Sequence, residues 1–186
     1  MVLEILGSCL LCLLVADIIT GIAHWLEDTY CENGYPIIGE LICEPNELHH
    51  QDPNLIGKTS NFFKRNILQW AIAIIPALLL ASVGYGYWQC YLTLFLASMG
   101  NQVHFWNHQS IKEASPISTF FSDSGMIQTR KQHNKHHTKP HDKYYCVLVN
   151  FNNAWMERIR FWKSLEFLLL KIFGLTIKNK DRISSV

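Results

Sequence analysis

Residues 2–28 read VLEILGSCLLCLLVADIITGIAHWLED, and this stretch decides the class of the protein. From Val2 to about Leu26 it forms one apolar helix, long enough at ~1.5 Å per residue to cross a hydrocarbon layer of roughly 30 Å. A cleavable signal is the competing reading, but no basic residue precedes the apolar run and Asp17 interrupts it, so a retained span is expected. Asp17, Gly21, His24 and Asp28 follow at offsets of four, three and four, which places them on one stripe of the helix. A carboxylate inside a span is costly and points to function. Asp17 is expected either to hold an imidazole N–H or simply to bond a neighbouring helix.

Outward from this helix, the charge pattern supports the same class. All sixteen Lys and Arg residues are Lys58, Lys64, Arg65 or lie from Lys112 onward, which leaves residues 1–57 and 66–111 without a basic side chain. Apolar residues fill those gaps, at 67–83 and about 85–104. The first of these is a span with Pro76 as a mild kink. A turn at 84–87 with interfacial aromatics leads to a third helix over about 88–108. The expected fold is an all-α integral membrane protein of about three transmembrane helices, with a cytosolic helical cap carrying amphipathic interfacial helices. Residues 116–129 and 155–173 supply those interfacial helices, and the chain frays at 181–186. A single domain spans 1–186, with its core at about 17–162.

The histidines lie at the ends of these segments. In the acid-rich connector 27–66, EPNELHHQDP (44–53) reads as a short helix opened by Pro45 and closed by Pro53, carrying His49 and His50. The third helix ends in NQVHFWNH (101–108), where His104 and His108 are an i, i+4 pair and Asn101 lies a turn earlier. RKQHNKHHTKPHD (130–142) holds His133, His136 and His137 on one helical face, with His141 arriving from beyond the helix-ending Pro140. Alone, that stretch reads equally as a metal cluster or as a basic surface. Six scattered cysteines give no disulfide framework, and a net charge of +1 gives no case for nucleic acid.

Topology breaks the tie. With three spans, all nine histidines and all sixteen basic residues fall on one side of the membrane. The positive-inside rule makes that side cytoplasmic, with a short amino terminus opposite in a multi-pass protein. Nine imidazoles exceed the four ligands of one zinc site, so two metal ions are the economical reading. Imidazole suits zinc, copper, iron or nickel, and the ligand chemistry leaves that choice open.

Four segments together carry a resemblance: D-x-x-x-G-x-x-H-W-x-x-D at 17–28, HHQDP at 49–53, NQVHFWNH at 101–108 and HNKHHTKPHDKYYC at 133–146. Over residues 17–162 the chain resembles the Kua-type lipid desaturases, the group of plasmanylethanolamine desaturase and a plant plastid phosphatidylglycerol desaturase, within the histidine-box membrane di-iron desaturases. The resemblance implies two iron ions held by His24, His49, His50, His104, His108, His133, His136 and His137, with His141 a ninth ligand or an outer group. It also implies that Asp17, Asp28, Asp52 and Asn101 orient imidazoles or ligate through water. The implied reaction takes dioxygen as co-substrate, a membrane lipid as substrate and electrons from a cytochrome b5 or ferredoxin type donor docking on the basic tail. Ile18, Ile22, Trp25, Phe105 and Trp106 are candidate walls for the lipid chain, with ordinary helix packing as their competing role. An alkyl ether phospholipid converted to its vinyl ether leads the substrates, with acyl-lipid desaturation or hydroxylation at the same site as alternatives. A non-catalytic metal-binding or transport protein is the rival from another class. Little sequence precedes the first span, so an amino-terminal helix of longer relatives is expected to be missing.

Overall fold

The structure, a computed structural model, describes residues 1–58 and 61–178. The expected fraying at 181–186 lies outside the described residues. Among those described, all regular structure is helical. The order is α1 (Val2–Tyr30), a π-helical turn (Gly39–Cys43), α2 (Glu44–Gln51), α3 (Asn54–Lys58), α4 (Phe62–Ser82), α5 (Trp88–Ser98) and α6 (Gly100–His108). There follow α7 (Pro116–Asp123), α8 (Arg130–His136), α9 (Asn150–Arg158) and α10 (Phe161–Phe173).

Local chemistry sets several of these boundaries. The Asn61 side chain accepts from the Lys64 N–H to start α4, Ser115 from Ser118 to start α7, and Thr129 from Gln132 to start α8. Pro45 occupies the first turn of α2, where its missing N–H costs nothing. α10 ends on Gly174 in the left-handed conformation.

Helices α1 and α4 are each long and apolar enough to cross a membrane. Their most apolar windows are only 17% and 6% buried, unlike the core helix of a soluble protein. Leu3, Leu6, Leu10, Ile75, Leu78 and Leu79 all face outward. α5 packs between α1 and α4, and the chain turns before it at Gly84, whose φ is +70°. α4 runs unbroken through Pro76.

The third helix expected over 88–108 is instead two helices, broken at Met99. Here the Gln102 and Val103 N–H groups both donate to the Met99 carbonyl. Gly100, just past the break, lies where three helices converge. A Cβ there would sit 2.9 Å from Gln69 Nε2 and 3.1 Å from Thr20 Cγ2, so the absence of a side chain permits the approach.

The cap differs from expectation in three places. The helix expected over 116–129 stops at Asp123, and the one over 155–173 divides at Arg160, whose φ is +55°. α10 still turns Trp162, Leu165 and Leu169 toward Trp25 while Phe167, Ile172 and Phe173 stay exposed, as an interfacial helix requires. The third difference is a disulfide between Cys31 and Cys43, with Cα atoms 5.3 Å apart. It joins the end of α1 to the π-helical turn before α2, because the connector folds back on itself over a separation of 12 residues.

The extended segment 144–149 threads between α1 and the cap. Asp17 Oδ1 accepts from the backbone N–H groups of Leu148 at 2.7 Å and Val149 at 3.2 Å, while Oδ2 accepts from Asn152 Nδ2 at 3.0 Å. One turn on, Gly21 faces Cys146, whose Sγ would lie 2.6 Å from any Cβ added there. Of the two carboxylates on the α1 stripe, Asp17 therefore anchors the cap and holds no imidazole.

A candidate metal centre of two adjoining clusters

Eight of the nine histidines converge where the ends of α1, α2, α6 and α8 meet. His49, His104, His108, His133 and His137 form one cluster, and His24, Asp28, His50 and His136 form a second. Within each, one ligand atom per residue lies within 4.8 Å of all the others. The clusters adjoin: ring centroids of His50 and His137 are 5.0 Å apart, and those of His24 and His104 are 5.6 Å apart.

The way each helix delivers its ligands follows from its period. His104 and His108 lie one turn apart on α6, as do His133 and His137 at the end of α8, so each pair reaches the same point from one side. The adjacent His49 and His50 diverge around α2 and enter different clusters. His136 and His137 do the same. The bundle contributes α1 and α6 as rigid walls, and the connector and tail close over them.

Several features of these nitrogens fit cations. His133 Nε2 lies 2.6 Å from His108 Nε2 and 3.0 Å from His137 Nε2. Both nitrogens of His49, and Nε2 of His24 and His104, are buried without a hydrogen-bond partner. Each such group costs on the order of 1–3 kcal/mol if left unsatisfied, and a metal ion uses the same lone pairs. Opposite ring nitrogens are held: His24 Nδ1 is 3.1 Å from the Tyr145 carbonyl and His136 Nδ1 is 2.9 Å from the Lys143 carbonyl. An Nδ1–H donated to each carbonyl leaves Nε2 as the free lone pair.

Asp28 belongs inside the second cluster and not outside it. Its Oδ1 lies 2.9 Å from His50 Nε2, and its Oδ2 lies 3.2 Å from His136 Nε2 and 3.8 Å from His24 Nε2. Asn46 Nδ2 donates to Oδ1 at 2.6 Å and orients the carboxylate. The site thus has one carboxylate among eight imidazoles.

Other expected site residues lie elsewhere. His141 is in neither cluster; its Nδ1 lies 3.2 Å from the His136 carbonyl and 3.3 Å from His50 Nδ1, so it braces two ligand-bearing segments. Asn101 donates toward α4, to the Gln69 side chain and the Arg65 carbonyl, because its side chain leaves α6 on the face away from the clusters. Its N–H donates to Gln69 Oε1 at 2.7 Å and its Nδ2 to Arg65 at 3.1 Å. Asp52 accepts from the Asn54 N–H and shapes the turn into α3. Among the expected chain walls, Ile18, Ile22 and Trp25 pack against the cap core, Trp106 packs against Val103, Leu148 and neighbours, and Phe105 lies under the Arg65 guanidinium at 3.6 Å. An apolar cleft of about 510 Å³ opens between α1, α4 and α5 and is lined by Leu11, Val15, Pro76, Leu79, Cys90 and Leu94, among others.

Burial favours the neutral form of the imidazoles outside the two long helices. It pushes His49 down to about 2 and His141 down to about 4, with neighbouring histidines adding to the effect. His133 and His137 are pushed down for the same reasons. A neutral imidazole is the form that ligates a metal.

Residues 13–180 match the lipid desaturase domain model. The chain belongs to the lipid desaturase family. It is 32% identical over 177 residues to plasmanylethanolamine desaturase 1 of Mus musculus, covering 87% of this chain and 63% of that protein. It is 31% identical to plasmanylethanolamine desaturase of Myxococcus xanthus, covering 95% of this chain and 64% of that one. It is 27% identical to the chloroplastic fatty acid desaturase 4-like 1 of Arabidopsis thaliana, over 86% of this chain and 55% of the relative. The chain thus spans just under two thirds of the mouse and Myxococcus proteins. No solved structure matches.

Proposed function

We propose that this lipid desaturase family member holds two iron ions, one in each cluster, and uses dioxygen to desaturate a chain of a membrane phospholipid. The observation that carries the reading is the pair of adjoining, buried clusters whose free nitrogens converge. Such iron pairs supply the oxidising power to remove hydrogens from an unactivated carbon chain when dioxygen and two electrons are provided. The chain's own residues position that chemistry. The carbonyls of Tyr145 and Lys143 fix the tautomers of His24 and His136, and Asn46 steers Asp28. Buried walls keep water away from the centre.

The preferred substrate is a plasmanyl, alkyl ether phospholipid and the product its plasmenyl, vinyl ether form. The two plasmanylethanolamine desaturases at about 30% identity support this choice over an acyl lipid. The centre lies where the span of α1 ends, at headgroup depth if both long helices cross the bilayer, so a bond next to the glycerol ether is within reach. The apolar cleft between α1, α4 and α5 then accommodates the rest of the chain. The centre is read as facing the cytoplasm, where a cytochrome b5 or ferredoxin type donor supplies electrons. The absence of basic residues from 1–57 and 66–111 supports that orientation.

The test is expression in a host that lacks plasmalogens and receives alkyl ether lipids, followed by mass spectrometry for acid-labile vinyl ethers. Vinyl ether formation that disappears with His104→Ala supports the proposal. A new acyl double bond in place of a vinyl ether overturns the substrate choice, and no product with either lipid overturns the activity.

A further inference from the structure

Tyr145, Trp162, Trp25 and Tyr30 form a continuous row that begins at the second cluster and leads away from it. The Tyr145 ring lies 5.3 Å from His136 and 6.0 Å from His24, centroid to centroid. Trp162 follows at 4.9 Å from Tyr145, Trp25 at 6.0 Å from Trp162, and Tyr30 at 5.5 Å from Trp25. The first three are at most 2% exposed, whereas Tyr30 is half-buried near the polar end of α1. Packing alone calls for apolar volume, which Leu or Phe supplies without a polar atom. Here every member of the row is Tyr or Trp, the side chains most readily oxidised by one electron among aromatic residues.

The polar atoms along the row differ in a way that gives it direction. The Tyr145 hydroxyl donates to the His141 carbonyl at 3.1 Å. Trp162 Nε1 is buried without a partner. Trp25 Nε1 faces the Glu166 carboxylate at 3.3 Å, a group that can accept a proton. An electron vacancy therefore passes through Tyr145 and Trp162 and comes to rest where its proton can leave.

Building on the proposed iron centre, we infer that this row discharges oxidising equivalents when dioxygen is activated with no lipid bond in place. In the step, Trp25 loses one electron through Trp162 and Tyr145 to the centre, whose oxidant derived from dioxygen is reduced by one electron. The indole N–H proton moves to Glu166, leaving a neutral tryptophanyl radical beside Tyr30. The row thereby spares the ligand histidines, which lie nearest the oxidant.

The experiment uses the full chain purified in detergent, loaded with ferrous iron and exposed to air and ascorbate without lipid substrate. Metal analysis gives the iron content, and peptide mass spectrometry maps oxidised residues. Oxidation concentrated at Trp25 and Tyr30, exceeding that of the exposed Trp88 and Trp155, is expected. Trp162→Phe, which keeps an aromatic ring, should lower Trp25 oxidation several-fold at unchanged iron content and raise oxidation of the ligand histidines. Tyr145→Phe should act in the same direction and serves if Trp162→Phe does not fold. Equal Trp25 oxidation in wild type and both variants at equal iron overturns the inference, as does oxidation that simply follows exposure. Failure to bind iron at all overturns the iron centre itself, and the metal analysis distinguishes that result from loss of the row alone.

Discussion

His133 Nε2 on α8 lies 2.6 Å from His108 Nε2 at the end of α6, although 25 residues separate them in the chain. Two imidazole nitrogens that close are stable only with a proton or a cation between them. The contact joins the tail to the end of α6, so the cap and the first cluster form together. His133→Ala is expected to remove the metal from that cluster and activity with it, while His141→Ala, outside both clusters, retains most of the iron. Elemental analysis of the two purified variants checks the difference.

Asp28 separates from Asp17 by the same kind of measurement. Asp28→Asn keeps the shape but removes the charge beside His24, His50 and His136. It should reduce iron content toward one ion per chain with little change in thermal stability before metal loading. Asp17→Leu leaves the Leu148 and Val149 N–H groups without their acceptor and removes one of the two acceptors of Asn152 Nδ2, the other being the Leu14 carbonyl. It should destabilise the fold by on the order of 3 kcal/mol, measured as lower thermal stability in detergent.

The histidines also set a pH dependence. His49 and His141 fall from 6.5 in an unperturbed chain to about 2 and about 4 in the fold. Between those values the unfolded chain binds protons that the folded chain does not, so stability rises with pH and is fully present above about 6.5. As pH falls from 7 toward 4, the metal-free protein should lose thermal stability progressively. A melting temperature that is flat or rises on acidification contradicts this assignment.

The Cys31–Cys43 bridge closes the connector three residues after Asp28 and six before His49. Disulfides of this kind typically contribute ~2–4 kcal/mol, chiefly by restricting the unfolded chain. Cys31→Ser, or treatment with dithiothreitol, should lower thermal stability and speed iron loss to a chelator. Unchanged chelation kinetics would indicate that the bridge does not brace α2.

Much of the architecture was legible in the sequence because it depends on local patterns. The basic-free apolar runs announced α1 and α4, and the i, i+4 spacing of His104 with His108 and of His133 with His137 announced ligands that share a helical face. Pro45 and Pro53 marked α2. Spacing along α1 placed Asp17 and Asp28 on one stripe but held no information about what presses against each.

That division runs through the whole protein. The sequence by itself determined the helical membrane character, the family resemblance and the histidines available as ligands, since periodicity, hydropathy and motif identity are properties of short segments. Only the tertiary structure decided that Asp28 sits among imidazoles while Asp17 grips the backbone at 148–149, that His141 braces and Asn101 faces α4, and that Cys31 meets Cys43. These depend on which distant segments fold back onto α1 and at what height, a matter of long-range packing that no local spacing encodes.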